Sequence, residues 1–366
     1  MNARSYDAPA RLAPLPGTPM LNPLPTSMPL PNGDPSQTPR RTLRGLELRC
    51  PPLPQTLVEA LDLIDKPAQM EVGPVTEMVQ RDPIVVARLL HTVNSAYYGL
   101  RHTISSAERA VVLLGPVAVA GIVVGMHMLK LRSILESPAG ASFHRLIRHS
   151  IATAFLTRHL VEGTPRDRSA SRNRPARIGV SFTAGLLHDF GKIILVYNFS
   201  EEAVALYDQE TIGQHVAAPD EREMEQLLFG CDHAEAGEYA ARKLNFPDLL
   251  TDIIRLHHEP ERPSGNADTD RLVRATAAAN LASKAMGYAF TKASSWEQCA
   301  DDPIWSLVAQ HEPYRYPTPE AVIADLQTQQ EHLDQYVEQL MESSQAAFQN
   351  PNIFASQSRM LKKRFP

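Results

Sequence analysis

Thr183-Ala184-Gly185-Leu186-Leu187-His188-Asp189-Phe190-Gly191-Lys192 is an apolar run that ends in an adjacent His-Asp pair, with a Gly and a Lys just beyond. Imidazole nitrogen and carboxylate oxygen both suit divalent first-row metals, so His188 and Asp189 read as candidate ligands. The pattern predicts a helix over 181–196. On it Lys192 lies one turn beyond Asp189, where it could meet a phosphate as a point charge. What gathers around this pair decides between a metal-dependent phosphohydrolase and a binding module.

Helical periodicity surrounds the run on both sides. A helix over about 142–161 bears Phe143, Leu146, Ile147, Ile151, Phe155 and Leu160, and it carries His149. Gly230-Cys231-Asp232-His233 leads into a helix with Ala236, Gly237 and Ala240, which Asn245-Phe246-Pro247 stops. The helix over 248–258 ends in His257-His258, and one over 270–286 carries Asn280. Cys231 has no partner Cys at ligand spacing and reads as a small buried hydrophobe. Between the helices, 163–177 holds Arg166, Arg168, Arg172, Arg174 and Arg177 against a single acid, Asp167. That stretch reads as a solvated loop, or functionally as an Arg cluster for a phosphate or an acidic partner.

The first part of the chain is helical too. Leu57, Ala60, Leu61 and Ile64 share a face behind Pro51-Pro52-Leu53-Pro54, and Val72, Val75 and Val79 share another. Asp82 caps a helix with Pro83 in its first turn, closed by Asn94-Ser95-Ala96-Tyr97-Tyr98-Gly99. Ser105 and Glu108 are spaced as a capping box, and Gly115-Pro116 separates that helix from an apolar one over 117–131. No strand-like alternation of any length appears, so the fold class is all-α.

Composition narrows the function. Hydrophobic residues make up 43% of 366 and the net charge is −5, so no bulk charge points at nucleic acid. Three scattered Cys exclude a disulfide framework and suit a reducing compartment. The apolar window 107–131 has charged ends and an internal Gly-Pro, and reads as buried helices rather than a membrane span. The expected address is the cytoplasm, with no membrane partner. Residues 1–45 hold ten prolines between Pro9 and Pro39 and read as a disordered tail. In the tail, 319–348 shows a weak heptad seam of Ile323, Leu326, Leu333, Val337, Leu340 and Ala347 with polar Gln330 and Ser344. It suits folding back on the domain or homodimer pairing equally well.

Pro-x-Leu-Pro before a helix, Asp82-Pro83, Asn94-Ser95-Ala96 with its aromatics and Gly99, and Ala110 to Leu114-Gly115 occur in the order of the HDOD domain, which this chain resembles over about 46–290. The resemblance implies a two-lobed helical module (about 46–135 and 142–290, the second lobe an HD-like bundle) with a helical extension over 291–366. It also implies a bacterial signalling and regulatory role without enzymatic activity. HD-type phosphohydrolases build a metal centre from a His, a His-Asp pair and a closing Asp, and their HD-GYP relatives add a Lys after the pair, an isolated His and a double His. By that resemblance His149, His188-Asp189, Lys192, His233 and His257-His258 match all of these but the closing Asp. Asn280 stands where the closing Asp is expected, and the Gly-Tyr-Pro stretch is missing. A carboxylate offsets the charge of a divalent ion, which an amide carbonyl does not.

Two functions follow. One is a regulatory module acting through a signalling protein or a bound ligand. The other is a metal-dependent phosphodiesterase or phosphohydrolase of a nucleotide, such as a cyclic dinucleotide second messenger, with Lys192 as its catalytic cation. The cofactor expectation is a divalent ion, iron, manganese or magnesium, or else none.

Overall fold

The computed structural model describes residues 47–65, 71–94, 102–131, 140–162, 178–207, 220–290, 294–312 and 314–349. The Pro-rich tail, the Arg cluster of 163–177 and most of the Asn94-to-Gly99 motif lie outside them. Among the described residues every regular element is a helix.

The first lobe comprises α1 (Gln55–Asp65), α2 (Val72–Gln80), α3 (Pro83–Val93), α4 (Ala107–Leu114) and α5 (Pro116–Leu131). Asn94 closes α3 and staples the next segment to it. Its Nδ2 donates to the Leu90 and Ile104 carbonyls and its Oδ1 accepts from Ile104 N. The cap of α4 is Ser106, whose side chain accepts from Arg109 N, and not Ser105 as the spacing suggested. A hydroxyl on Ser106 can reach the third helical N–H, where an unpaired donor waits. Gly115 at φ 84° then turns the chain through 112° into α5. A left-handed φ is cheap only for glycine. α5 is apolar all round because it is covered on both sides, by α1 and by a helix of the second lobe.

That second lobe comprises α6 (Gly140–Glu162), α7 (Ile178–Leu187), α8 (Phe190–Asn198), α9 (Ser200–Tyr207), α10 (Glu221–Phe229), α11 (His233–Lys243), α12 (Asp248–Leu256) and α13 (Ala267–Ala285). α6 is its axis, with α7 and α13 packed along it, while α7 also reaches back to α5. The expected single helix over 181–196 is two, because Asp189 leaves the helical region at φ −94°, ψ 20°. By length and composition 180–198 is apolar enough to cross a membrane, yet 94% of that stretch is buried inside the protein.

The extension comprises α14 (Trp296–Cys299), α15 (Pro303–His311), α16 (Pro319–Gln327) and α17 (Gln330–Gln349). The proposed seam is therefore two helices, and three of its residues, Leu326, Leu333 and Val337, are spent inside this chain. Val322, Leu326, Leu333 and Val337 are fully buried, with α17 laid against α6 and α3. Tyr336 seats its ring 5.3 Å from that of Phe155. Gln330, polar in the seam, instead donates to the Met286 carbonyl and to Asp334. The described residues all belong to one compact unit, so the extension is part of the domain's packing.

Candidate metal centre

The His188-Asp189 pair occupies the two-residue turn between α7 and α8, so both side chains point into the bundle. Two glycines make this placement possible. A methyl on Gly185 would lie 2.6 Å from Ala154 Cα, so α7 can approach α6 only without one. A methyl on Gly191 would fall 1.7 Å from the His233 carbonyl oxygen, so α8 meets the start of α11 backbone to backbone. The Gly of the His-Asp-x-Gly-Lys run is thus a packing requirement.

Around the pair the structure brings together every histidine singled out in the sequence. His149 Nε2 and His188 Nε2 lie 3.5 and 3.4 Å from Asp189 Oδ2. His233 Nε2 and His257 Nε2 lie 3.3 and 3.6 Å from Asp189 Oδ1. His258 Nε2 is 2.9 Å from His233 Nε2. Two groups of ligand atoms result, Asp189 with His233, His257 and His258, and Asp189 with His149 and His188. Asp189 belongs to both.

The outer ring nitrogens explain why these atoms converge. His188 Nδ1 donates to the Gly185 carbonyl at 2.7 Å, His257 Nδ1 to the Ile254 carbonyl at 2.9 Å and His149 Nδ1 to the Tyr288 carbonyl at 2.9 Å. His233 Nδ1 donates to Glu225 Oε2 at 2.6 Å. With its hydrogen committed outward, each imidazole turns an Nε2 lone pair inward. Lone pairs facing one another and a carboxylate at about 3.5 Å repel unless a cation lies between. Ligand atoms about 2.1 Å from a common ion stand roughly 3 to 3.5 Å apart. The site also leaves His149 Nε2, His188 Nε2 and Asp189 Oδ1 without hydrogen-bond partners. The residues present fit a divalent ion.

Burial sets the electrostatics. It drives His149 down to about 4 and His188 and His258 well below the ordinary imidazole value, so these rings stay neutral, as ligands must. Burial alone would raise Asp189, but His188, Lys192, His257 and His233 outweigh it and hold the carboxyl well below its usual range. His233 is the exception among the rings: burial lowers it, yet Glu225 lifts it above the ordinary value.

Lys192 points into the cluster. Its Nζ lies 2.9 Å from both Asp189 Oδ2 and Glu221 Oε1, 5.2 Å from the centre of the Phe290 ring, and the side chain is 2% exposed. Burial opposes its charge, but Asp189, Glu221 and Glu225 keep it ionised. An ammonium consumed by two carboxylates balances charge inside the site and has little left for a phosphate. Asn280 is 5% exposed on α13, as a position turned into the bundle should be. Cys231 is buried and its thiol is pushed up to about 12 by burial and neighbouring acids, so it stays inert.

Sequence reading missed Glu221, Glu225 and Tyr207. The available signal was the face of α10, where Glu225 shares a side with Phe229 four residues on, an acid standing at an apolar position.

With the geometry in hand, comparison with known proteins is direct. Residues 50–260, more than half of the chain, match the HDOD domain family, and the chain belongs to that family. An HDOD domain protein of Geobacter sulfurreducens superimposes with a TM-score of 0.63 at 21% identity, covering 80% of this chain and 93% of its own. A candidate metal-dependent phosphohydrolase of Shewanella amazonensis does so with a TM-score of 0.51 at 16% identity, covering 81% and 93%. These likenesses concern the fold. An uncharacterized protein of Treponema pallidum is 24% identical over 63% of this chain, and the match spans 41% of that protein's length.

Proposed function

We propose that this HDOD protein is a regulatory, non-enzymatic module whose second lobe holds a divalent metal ion through Asp189, His149, His188, His233, His257 and His258. The observation that carries it is the convergence of five Nε2 atoms on one carboxylate, with the Nδ1 of four of those rings locked outward. A donor set this rich in imidazole favours iron or manganese over magnesium. Such an ion supplies fixed positive charge, and its ligands come from α6, the α7–α8 turn, α11 and the end of α12, so loading would tighten the whole bundle. Burial supports regulation over turnover. His149, His188, Asp189, Lys192, His233 and His257 are at most 2% exposed and only His258 is partly open. Metal sites with structural roles are closed, whereas catalytic ones keep a position for substrate. The output would be a change in contacts with a signalling protein.

Hydrolysis of a nucleotide phosphodiester is the second reading, and the sharing of Asp189 between two ligand groups favours it. In that case the ion would polarise a phosphoryl oxygen. One experiment separates the two. Metal content is measured on the purified protein, then phosphodiester and phosphomonoester hydrolysis is assayed with added Fe²⁺, Mn²⁺ or Mg²⁺. Bound metal without turnover is expected. Turnover abolished by Asp189→Ala would sink the regulatory reading, and a chain that takes up no metal would sink both.

A further inference from the structure

The best-held group around the centre is Glu225, a carboxylate that is no ligand in either group. Its side chain is fully buried, eight residues before His233 and across the Gly230 turn. One oxygen, Oε2, accepts both the His233 backbone N–H at 2.8 Å and its ring Nδ1–H at 2.6 Å. The other, Oε1, accepts from the Tyr207 hydroxyl at 2.7 Å. The Tyr207 carbonyl in turn accepts from Arg145 on α6 at 3.0 Å. A buried carboxylate is costly unless every lone pair is used. Here one oxygen is spent on a single histidine, gripped at backbone and ring together, and the other on Tyr207.

The three other locked rings lean on backbone carbonyls, which are neutral. Only His233 leans on a carboxylate. A carboxylate behind an imidazole fixes its tautomer, restrains its rotation and raises the electron density at the opposite nitrogen. His233 stands at the first turn of α11, where its backbone meets Gly191 of α8.

We propose that Glu225 is the positioning residue of the centre, with Tyr207 as its anchor, and that it makes His233 the strongest imidazole donor. This rests on the metal-binding reading above and assigns a role to a residue outside the ligand set. It also accounts for a buried tyrosine hydroxyl and a buried acid that the ligand set leaves unused.

The test uses the full chain. Metal-free wild type, Glu225→Gln, Glu225→Met and Tyr207→Phe are titrated with Mn²⁺, with far-ultraviolet circular dichroism as the folding control. Loss of such an outer-shell partner costs about 10- to 100-fold in metal affinity. Glu225→Gln, which keeps shape and loses charge, should fall at the lower end, Glu225→Met at the upper, and Tyr207→Phe should lose less than either. The ring nitrogens of ¹⁵N-labelled His233 are read in the same metal-free proteins. Wild type should show an Nδ1–H bound to a carboxylate, and Glu225→Gln should lose that signature while the other rings keep theirs. Unchanged Mn²⁺ affinity in a folded Glu225→Gln and Glu225→Met, or unchanged His233 nitrogens, would overturn the assignment. A wild type that binds no Mn²⁺ or Fe²⁺ would overturn the metal reading, and the His233 signals alone would then decide the role of Glu225.

Discussion

Gly191 carries the sharpest consequence at the scale of a single residue. Its missing side chain is what lets α8 touch α11, and an added methyl would have to displace the His233 backbone. Backbone cannot swing aside as a flexible side chain can, so Gly191→Ala should cost about 3 kcal/mol or more in a denaturant melt and weaken metal uptake with it. Melts that superimpose on wild type would show that the two helices can part freely. Asn280 makes the opposite case. Its Oδ1 is buried without a partner, and exchanging it for a charged oxygen should tighten Mn²⁺ binding several-fold in Asn280→Asp. An unchanged titration would show that position 280 does not face the ion. Lys192 shows what residue type alone leaves out: a lysine one turn from an aspartate suggests a phosphate contact, and here it pairs with Asp189 and Glu221.

At the scale of elements, the junction between α6 and α16 is held by charge. Asp325 Oδ2 lies 2.9 Å from His159 Nε2 and 3.1 Å from Arg315 Nη2, and it also accepts from the Tyr316 hydroxyl at 2.5 Å. Arg315 adds bonds to the His159 and Leu160 carbonyls at 2.8 and 2.9 Å, which caps the last turn of α6. Burial alone would raise Asp325, but His159, Tyr316 and Arg315 bring it down to about 2. A carboxyl depressed in the folded state stabilises above its unfolded pKa of about 3.9, and that contribution is lost as pH falls through the folded value. The wild-type melting temperature should therefore drop between about pH 4 and pH 2, and Asp325→Asn should flatten that drop. At pH 7 the same substitution should cost about 2 kcal/mol, the size of hydrogen bonds to a charged group. Equal acid sensitivity in both proteins would place the stabilising charge elsewhere.

The whole molecule depends on its extension. α17 lies over both α3 and α6, so the helix that follows the family match is a strap across the two lobes. Tyr288 donates to Asp334 of α17 at 2.5 Å while its carbonyl holds His149 Nδ1, which links the strap to a ligand of the centre. Leu333 and Val337 are fully buried there, and Leu333→Ala should cost about 2 to 5 kcal/mol as a core cavity. Deleting 319–366 should lower the melting temperature further and bare the apolar face of α6. A truncated chain with an unchanged melt would show the strap to be dispensable.

Helices, their order and the six candidate ligands that converge were legible in the sequence because 3.6-residue periodicity and donor chemistry are local properties. His149, the His188-Asp189 pair, His233 and His257-His258 could be collected by residue type and family order alone. What local pattern could not carry is direction and partnership. The turn that splits 181–196, the capture of Lys192 by Glu221, the acid behind His233 and the folding of the heptad seam onto α6 each depend on residues far apart in the chain. The same apolar seam satisfies a second chain or the chain's own core, because burial is indifferent to connectivity. Only the tertiary structure lays Leu326, Leu333 and Val337 in the chain's own core, with α3 and α6 beside α17, and brings Glu225 within reach of His233.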